Sequence, residues 1–514
     1  MVGAPRGWRA RPGVNYSCNY NSCCYHAWVT SWVKPADLHA RDWEWQTLSD
    51  FAVSDVSGAS LGLVYGRRRQ GKTLLLELLA EASGGFMYGA QQQTEAQNLA
   101  DLGVAYARHV GAPAPVSFAD WRHALDALLA LEGPVIIDEF PYLVSTTPAL
   151  PSQLQLALSP WGAAKREGRS RLILCGSALS TMRGLLSGGA PLRGRATMEL
   201  LVRPFWFREA AGFWGLSDDP DLAFRVHALV GGTPAYLEMS GGAPRSARDF
   251  DAWVCRALLS PASAMFREGN LLLREEPEIS DPTSYASVLT AVSMGRIRRT
   301  EIAATLGRPA TAIAHPLAGL EDIGLLERVE DAFKSRRGTF RISDPVVRLH
   351  QLVISRDEGR LVRREAERVW AEAADTVASK MYGPHLEDLA REWVLSHADV
   401  DTLGGRPSWV RPATLSCREH QQGHELDIVA MRSTPFDGDH VLAIGEVKAT
   451  GKPMDLPALE RLIHLRDLAP SDRVRDLPRI LMFSRAGFTK ALLKIADDRQ
   501  DLELVDMTRL YQGN

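Results

Sequence analysis

Residues 61–73 read Leu61-Gly62-Leu63-Val64-Tyr65-Gly66-Arg67-Arg68-Arg69-Gln70-Gly71-Lys72-Thr73, and a leucine-rich stretch runs on to Glu81. The apolar run 61–65 predicts a short buried strand, and the segment from Thr73 predicts a helix that starts at the loop. Strand, glycine loop and helix, with the spacing G-x-x-x-x-G-K-T, form the pattern of a Walker A phosphate loop. Gly66 and Gly71 allow a tight turn and a close approach of backbone to oxygen. The N–H groups of Arg67, Arg68, Arg69, Gln70 and Gly71, with the helix N-terminus, would face phosphates. Lys72 would reach the β- and γ-phosphates, and the Thr73 hydroxyl would bind Mg²⁺.

A chain of 514 residues exceeds what one hydrophobic core organises, so about three or four domains are expected. Apolar residues make up 45% and charged residues 24%, an ordinary globular balance. Net charge is −3, so nucleic-acid contact would need local basic patches rather than bulk charge. No apolar run is long enough to span a membrane. Of the six cysteines, Cys18, Cys23 and Cys24 crowd the start, while Cys175, Cys255 and Cys417 stand apart. That distribution argues for a reducing, cytoplasmic compartment rather than a disulfide scaffold. Residues 1–36 lack periodicity and an apolar signal core, and His26 with the early cysteines lacks a second zinc-like pair. This stretch reads as a disordered tail or an over-extended start.

Pro134-Val135-Ile136-Ile137-Asp138-Glu139 is an apolar strand ending in two carboxylates, the form of a Walker B segment. Asp138 would hold Mg²⁺ through water, and Glu139 would orient or deprotonate an attacking water. Arg171-Leu172-Ile173-Leu174-Cys175-Gly176-Ser177 predicts a third strand, with Ser177 placed to sense a terminal phosphate. Pro191-Leu192-Arg193-Gly194-Arg195 follows, and Arg195 is the candidate to reach a transferring phosphoryl group, in cis or from a neighbouring subunit.

These stretches, with Val230-Gly231-Gly232-Thr233-Pro234-Ala235-Tyr236-Leu237, resemble the archaeal-type ATPases of the P-loop superfamily, relatives of AAA+ and STAND proteins. The resemblance covers roughly residues 39–510. It implies a RecA/AAA-like parallel sheet, ATP and Mg²⁺ as cofactors, and a helical lid holding the Gly-Gly-x-Pro-x-Tyr-Leu segment. Farther on, three short helices and a hairpin, Leu325–Val329 with Thr339–Ile342, read as a winged helix. Arg296, Arg298, Arg299, Lys334, Arg336 and Arg337 there are placed to meet phosphates. The third helix carries no Arg or Lys, which argues against base readout.

Beyond Gly383 the composition changes again. A helix bears Glu387, one strand bears Asp427, and Glu446-Val447-Lys448 lies on another after a turn at Asp437-Gly438-Asp439. Alternation puts Glu446 and Lys448 on one face. Two or three carboxylates there can share a divalent metal while Lys448 positions or activates water. This is the D…E-x-K pattern of the restriction-endonuclease-like fold. The sequence thus predicts a multidomain α/β protein: an extension (1–36), a P-loop ATPase core (37–215), a lid (216–280), a winged helix (281–345), a helical connector (346–382) and a nuclease-like domain (383–514). The expected function is ATP hydrolysis coupled to action on DNA, by Mg-dependent phosphodiester cleavage. The alternatives are a STAND-like switch whose C-terminal domain only binds, and a DNA-binding regulator that holds nucleotide. ATP and DNA are the expected partners, no membrane contact is expected, and self-association is left open.

Overall fold

A strand covered on both faces has no polar side to show, and Ser60–Tyr65 (β1) is buried at every position. The structure is a computed structural model and describes residues 32–514 except 277, 278, 280, 335–337, 418, 436 and 437. Cys18, Cys23, Cys24, His26, Arg336, Arg337 and Asp437 therefore lie outside the described residues. The chain divides into two units, Met1–Arg203 and Pro204–Asn514.

In the first unit β1 joins four parallel partners: Phe86–Gly89 (β2), Gly133–Asp138 (β3), Ser170–Gly176 (β4) and Ala196–Leu201 (β5). Their order is β2-β3-β4-β1-β5. The α/β class and the parallel sheet expected from the sequence are present. Alternation splits the apolar side chains between two layers. Leu63, Ile137, Leu172 and Leu174 pack with Trp121, Leu125 and Leu128 on one face. Val64, Ile136, Ile173 and Cys175 pack with Trp45, Leu48, Leu75 and Leu79 on the other.

The second unit begins earlier than the expected boundary after residue 215. The Phe205 N–H donates to Gly232 O at 2.8 Å, and the Phe205 and Phe213 rings lie 5.1 Å apart, so 204–215 packs with the helices that follow. Helices Pro282–Ser293, Arg299–Thr305 and Ala314–Asp322 precede a hairpin of Leu326–Val329 (β6) and Thr339–Ile342 (β7). Val288, Leu289, Ile302, Leu317 and Leu320 fill the core beneath it.

The last 132 residues expected as one domain hold a mixed sheet of Trp409–Cys417 (β8), Gln422–Thr434 (β9), Gly438–Lys448 (β10), Arg479–Ser484 (β11) and Leu502–Asp506 (β12). Its order is β12-β11-β10-β9-β8, antiparallel through β8, β9 and β10 and parallel from β10 to β12. A helix, Gly383–Ser396, precedes β8, and another, Leu456–Asp467, links β10 to β11. Lys334 does not stand ready for a phosphate. Its Nζ donates to Thr414 O on β8 at 2.5 Å, and the Thr414 N–H donates to Asp331 at 2.9 Å. Arg296, Arg298 and Arg299 remain exposed. Among the described residues no helix is long and apolar enough to cross a membrane.

Leu174 is fully buried at the centre of the first sheet. Leu174→Ala should cost about 2–5 kcal/mol through lost contacts and a residual cavity, read as a lowered urea midpoint. A change smaller than about 0.5 kcal/mol, the usual range of a surface substitution, would contradict this packing.

Candidate functional site

All five strands of the first sheet are parallel, so their C-terminal ends share one edge, and the loop 66–71 leaves β1 there. A Cβ on Gly66 would stand 2.2 Å from Val202 O, so only glycine fits beneath the neighbouring backbone. Gly71 has φ 80° and hands the chain to the helix Lys72–Ser83. Arg69 also lies in the left-handed region, with φ 68°. From outside the loop, the Arg41 guanidinium donates to Gln70 O at 3.1 Å, while Arg68 of the loop donates outward to the Tyr142 hydroxyl at 3.0 Å.

The side chains at this edge converge. Lys72 Nζ donates to Gly66 O at 2.8 Å and to Arg67 O at 2.9 Å, so the loop wraps its own ammonium. Burial lowers the Lys72 pKa, against the pull of Cys175, Glu139 and Asp138, which favours the charged form. The Thr73 hydroxyl donates to Asp138 Oδ2 at 2.7 Å, while the Glu139 N–H donates to Oδ1 at 2.9 Å. Ser177 Oγ lies 2.7 and 2.9 Å from the two Glu139 carboxylate oxygens. Glu139 has φ 51°, an uncommon left-handed conformation for this residue type. Burial, and then the Asp138 carboxylate, push the Cys175 thiol well above its ordinary value.

Arg195 does not join this group within the chain. It directly precedes β5, whose Ala196 pairs with Leu61 at the entry end of β1, whereas Lys72 and Thr73 follow the exit end. Four residues of strand, about 13 Å at 3.3 Å each, separate the two levels, more than an arginine side chain spans. The in-cis role expected of Arg195 is therefore corrected. Among the arginines at the exit end is Arg183, 5.9 Å from the ring of Tyr65. Its helix, Leu179–Gly184, has no motif that singles it out in the sequence.

In the second unit Asp427 lies inside β9, which begins at Gln422. Asp427 Oδ2 accepts the Val447 N–H at 2.8 Å, and Arg391 donates to Asp427 O at 2.9 Å. Arg391 also lies 3.7 Å from Glu387. Glu446 is buried and accepts from Lys448 Nζ at 2.5 Å and from Arg461. Arg461 had no signal in the sequence, since it sits on the helix after the E-x-K strand. Glu387, Asp427 and Glu446 interact: burial, and then Glu387, push the Asp427 carboxyl up to about 7, with Glu446 adding to the shift. Burial likewise raises Glu387.

No protein-family model matches the chain. Over 286 residues it is 28% identical to an uncharacterized protein of Methanocaldococcus jannaschii, covering 55% of this chain and 61% of that relative. A Walker-type ATPase of Pyrococcus abyssi superposes with a TM-score of 0.48 at 20% identity, over 61% of this chain and 96% of that one. The ORC2 protein of Aeropyrum pernix, in ADPNP and ADP complexes, superposes with a TM-score of 0.42 at 16% identity, over 66% and 96%. The ORC1 protein of Aeropyrum pernix in complex with DNA gives a TM-score of 0.31 at 15% identity, over 64% and 95%. At such values these likenesses assign no residue, and the reading of the site rests on its own geometry.

A raised carboxyl pKa sets the direction of a pH dependence. Between the ordinary 3.8 and about 7 the folded chain keeps a proton on Asp427 that the unfolded chain has released. The contribution of Asp427 to stability is thus complete at the acid end of that window and declines as pH rises through it. Asp427→Asn should flatten this decline in urea midpoints measured without divalent metal; an unchanged slope would place the titration elsewhere.

Proposed function

We propose that the chain binds ATP with Mg²⁺ in the first unit and hydrolyses it. The observation that carries this reading is the 2.7 Å hydrogen bond from Thr73 to Asp138, with Lys72 and Glu139 beside it. A hydroxyl and a carboxylate oxygen held that close, both hard donors, suit magnesium. The Lys72 ammonium, which now donates to two carbonyls of its own loop, would turn to the β- and γ-phosphates. Backbone N–H groups from Arg67 to Gly71 would line the rest of the cradle. Bound at Thr73 and Asp138, Mg²⁺ would supply positive charge to the phosphate oxygens. Glu139 would take the proton of the attacking water, and Ser177 would report on the terminal phosphate. Arg195, remote within its own chain, would serve only a neighbouring copy in a homo-oligomer.

The second unit supports a further part of the reading, a nuclease-like domain. The order helix, β8, β9, β10, helix, β11 brings Glu387, Asp427, Glu446 and Lys448 into one electrostatically coupled group. Asp427 and Glu446 would hold a divalent ion, which would polarise a phosphodiester. Lys448 and Arg461 would first have to release Glu446. Exposed Arg296, Arg298 and Arg299 are suited to a DNA backbone. The three described cysteines, all free, suit a cytoplasmic setting. In the rival readings the same ATP site drives a signalling switch or merely holds nucleotide.

Lys72→Ala should lower ATP turnover by at least about a hundredfold, the scale of losing one charge-stabilising group, with the fold retained by circular dichroism. Unchanged hydrolysis in that variant refutes the ATPase. Wild-type protein should nick DNA only with divalent metal, and Lys448→Ala and Asp427→Ala should each abolish nicking. Wild-type protein that never nicks single- or double-stranded DNA would favour the switch.

A further inference from the structure

On the same mixed sheet a second cluster of side chains lies apart from the carboxylates. Cys417 ends β8, His420 lies in the turn, and His424 sits near the start of β9, where it pairs with Leu415. His464 comes from the helix Leu456–Asp467, far along the chain. Each of the four offers one ligand atom, and those atoms all lie within 4.8 Å of one another. Cys417 Sγ is 3.3 Å from His420 Nδ1 and 3.4 Å from His464 Nε2, and His424 Nε2 is 3.2 Å from His420 Nδ1.

We propose that Cys417, His420, His424 and His464 form a four-coordinate zinc site. The three separations of 3.2–3.4 Å are close to the edge of a zinc tetrahedron. With Zn–N near 2.0–2.1 Å and Zn–S near 2.3 Å, neighbouring ligand atoms should stand roughly 3.3–3.6 Å apart. The rings meet at steep angles of 76°, 82° and 87°, so they converge by their edges and do not stack. The backbone N–H of His420 donates to Cys417 Sγ at 3.4 Å. Cys417 is buried, and no carboxylate belongs to the set. Three imidazoles and a thiolate select zinc over the hard ions magnesium and calcium. Four protein ligands leave no open position, so the site is structural and not a second hydrolytic centre.

The ion would join the tip of the β8–β9 hairpin to the helix that also carries Arg461. Arg461 stands one helical turn from His464, and its guanidinium meets Glu446 and donates to Glu425 O at 3.1 Å. Zinc would thereby fix the helix that holds Arg461 against the buried carboxylate. Binding releases the Cys417 thiol proton, while neutral imidazoles release none.

The test uses the full chain, untagged, grown with zinc, with bound metal measured by mass spectrometry. About one zinc per chain is expected, falling to roughly a tenth or less in Cys417→Ser and in His464→Gln. Zinc exchanged for Co²⁺ should give the visible bands of a tetrahedral site and a thiolate-to-cobalt charge-transfer band. The charge-transfer band should vanish in Cys417→Ser. Wild-type protein without zinc or a tetrahedral cobalt spectrum would overturn the proposal and leave a hydrogen-bonded Cys–His cluster. Undiminished zinc in both variants would also overturn it, since the metal would then lie on other residues, such as those near Cys18.

Discussion

Parallel strands all end at the same edge, and that constraint decides what the first unit can do. Loops leaving β1, β3 and β4 must meet at one place, where the hydrogen bond from Thr73 to Asp138 joins the first of them to the second. Lys72, buried there, is tolerated because loop carbonyls accept its hydrogen bonds and two carboxylates stand close by. An ammonium so enclosed and left without partners would be costly. Polar groups gather at this end of the sheet, while the strands behind it are filled by Leu, Ile and Val.

The second unit solves a related problem with a different sheet. Here β9 and β10 run antiparallel, which brings Asp427 near Glu446 across the ladder, and β10 then continues in parallel with β11. Three acids in one partly dry region repel one another, and Arg391, Lys448 and Arg461 offset that repulsion. The same sheet carries the Cys–His cluster at its hairpin tip. One helix, Leu456–Asp467, therefore serves both groups, with Arg461 on the acids and His464 on the cluster.

Features that follow from local pattern were legible in the sequence. The apolar runs at 61–65, 134–137 and 172–175 are strands because a sheet buried on both faces demands continuous apolar side chains. The glycine spacing marks the loop because a side chain at Gly66 would collide with Val202 O. Features set by pairing over distance were not legible. Nothing near Arg195 reveals that the following strand enters beside Leu61, at the wrong end of the sheet. The cysteines that drew notice crowd the N-terminus, whereas Cys417 finds its histidines in a turn, on a strand and on a separate helix. Only the fold brings His464 to the other three. Lys334 likewise reads as a free cation until Thr414 O is seen to accept from it.

One hydroxyl proton gives the first unit an internal choice. Ser177 now directs it at Glu139, and both carboxylate oxygens lie within reach. A carboxylate so engaged has lone pairs occupied that a released one holds free. Any oxygen that came to claim that same proton would set Glu139 loose in the act, because a serine cannot donate twice. Arrival of the guest and arming of its attacker would then be a single exchange, with no moving domain between them.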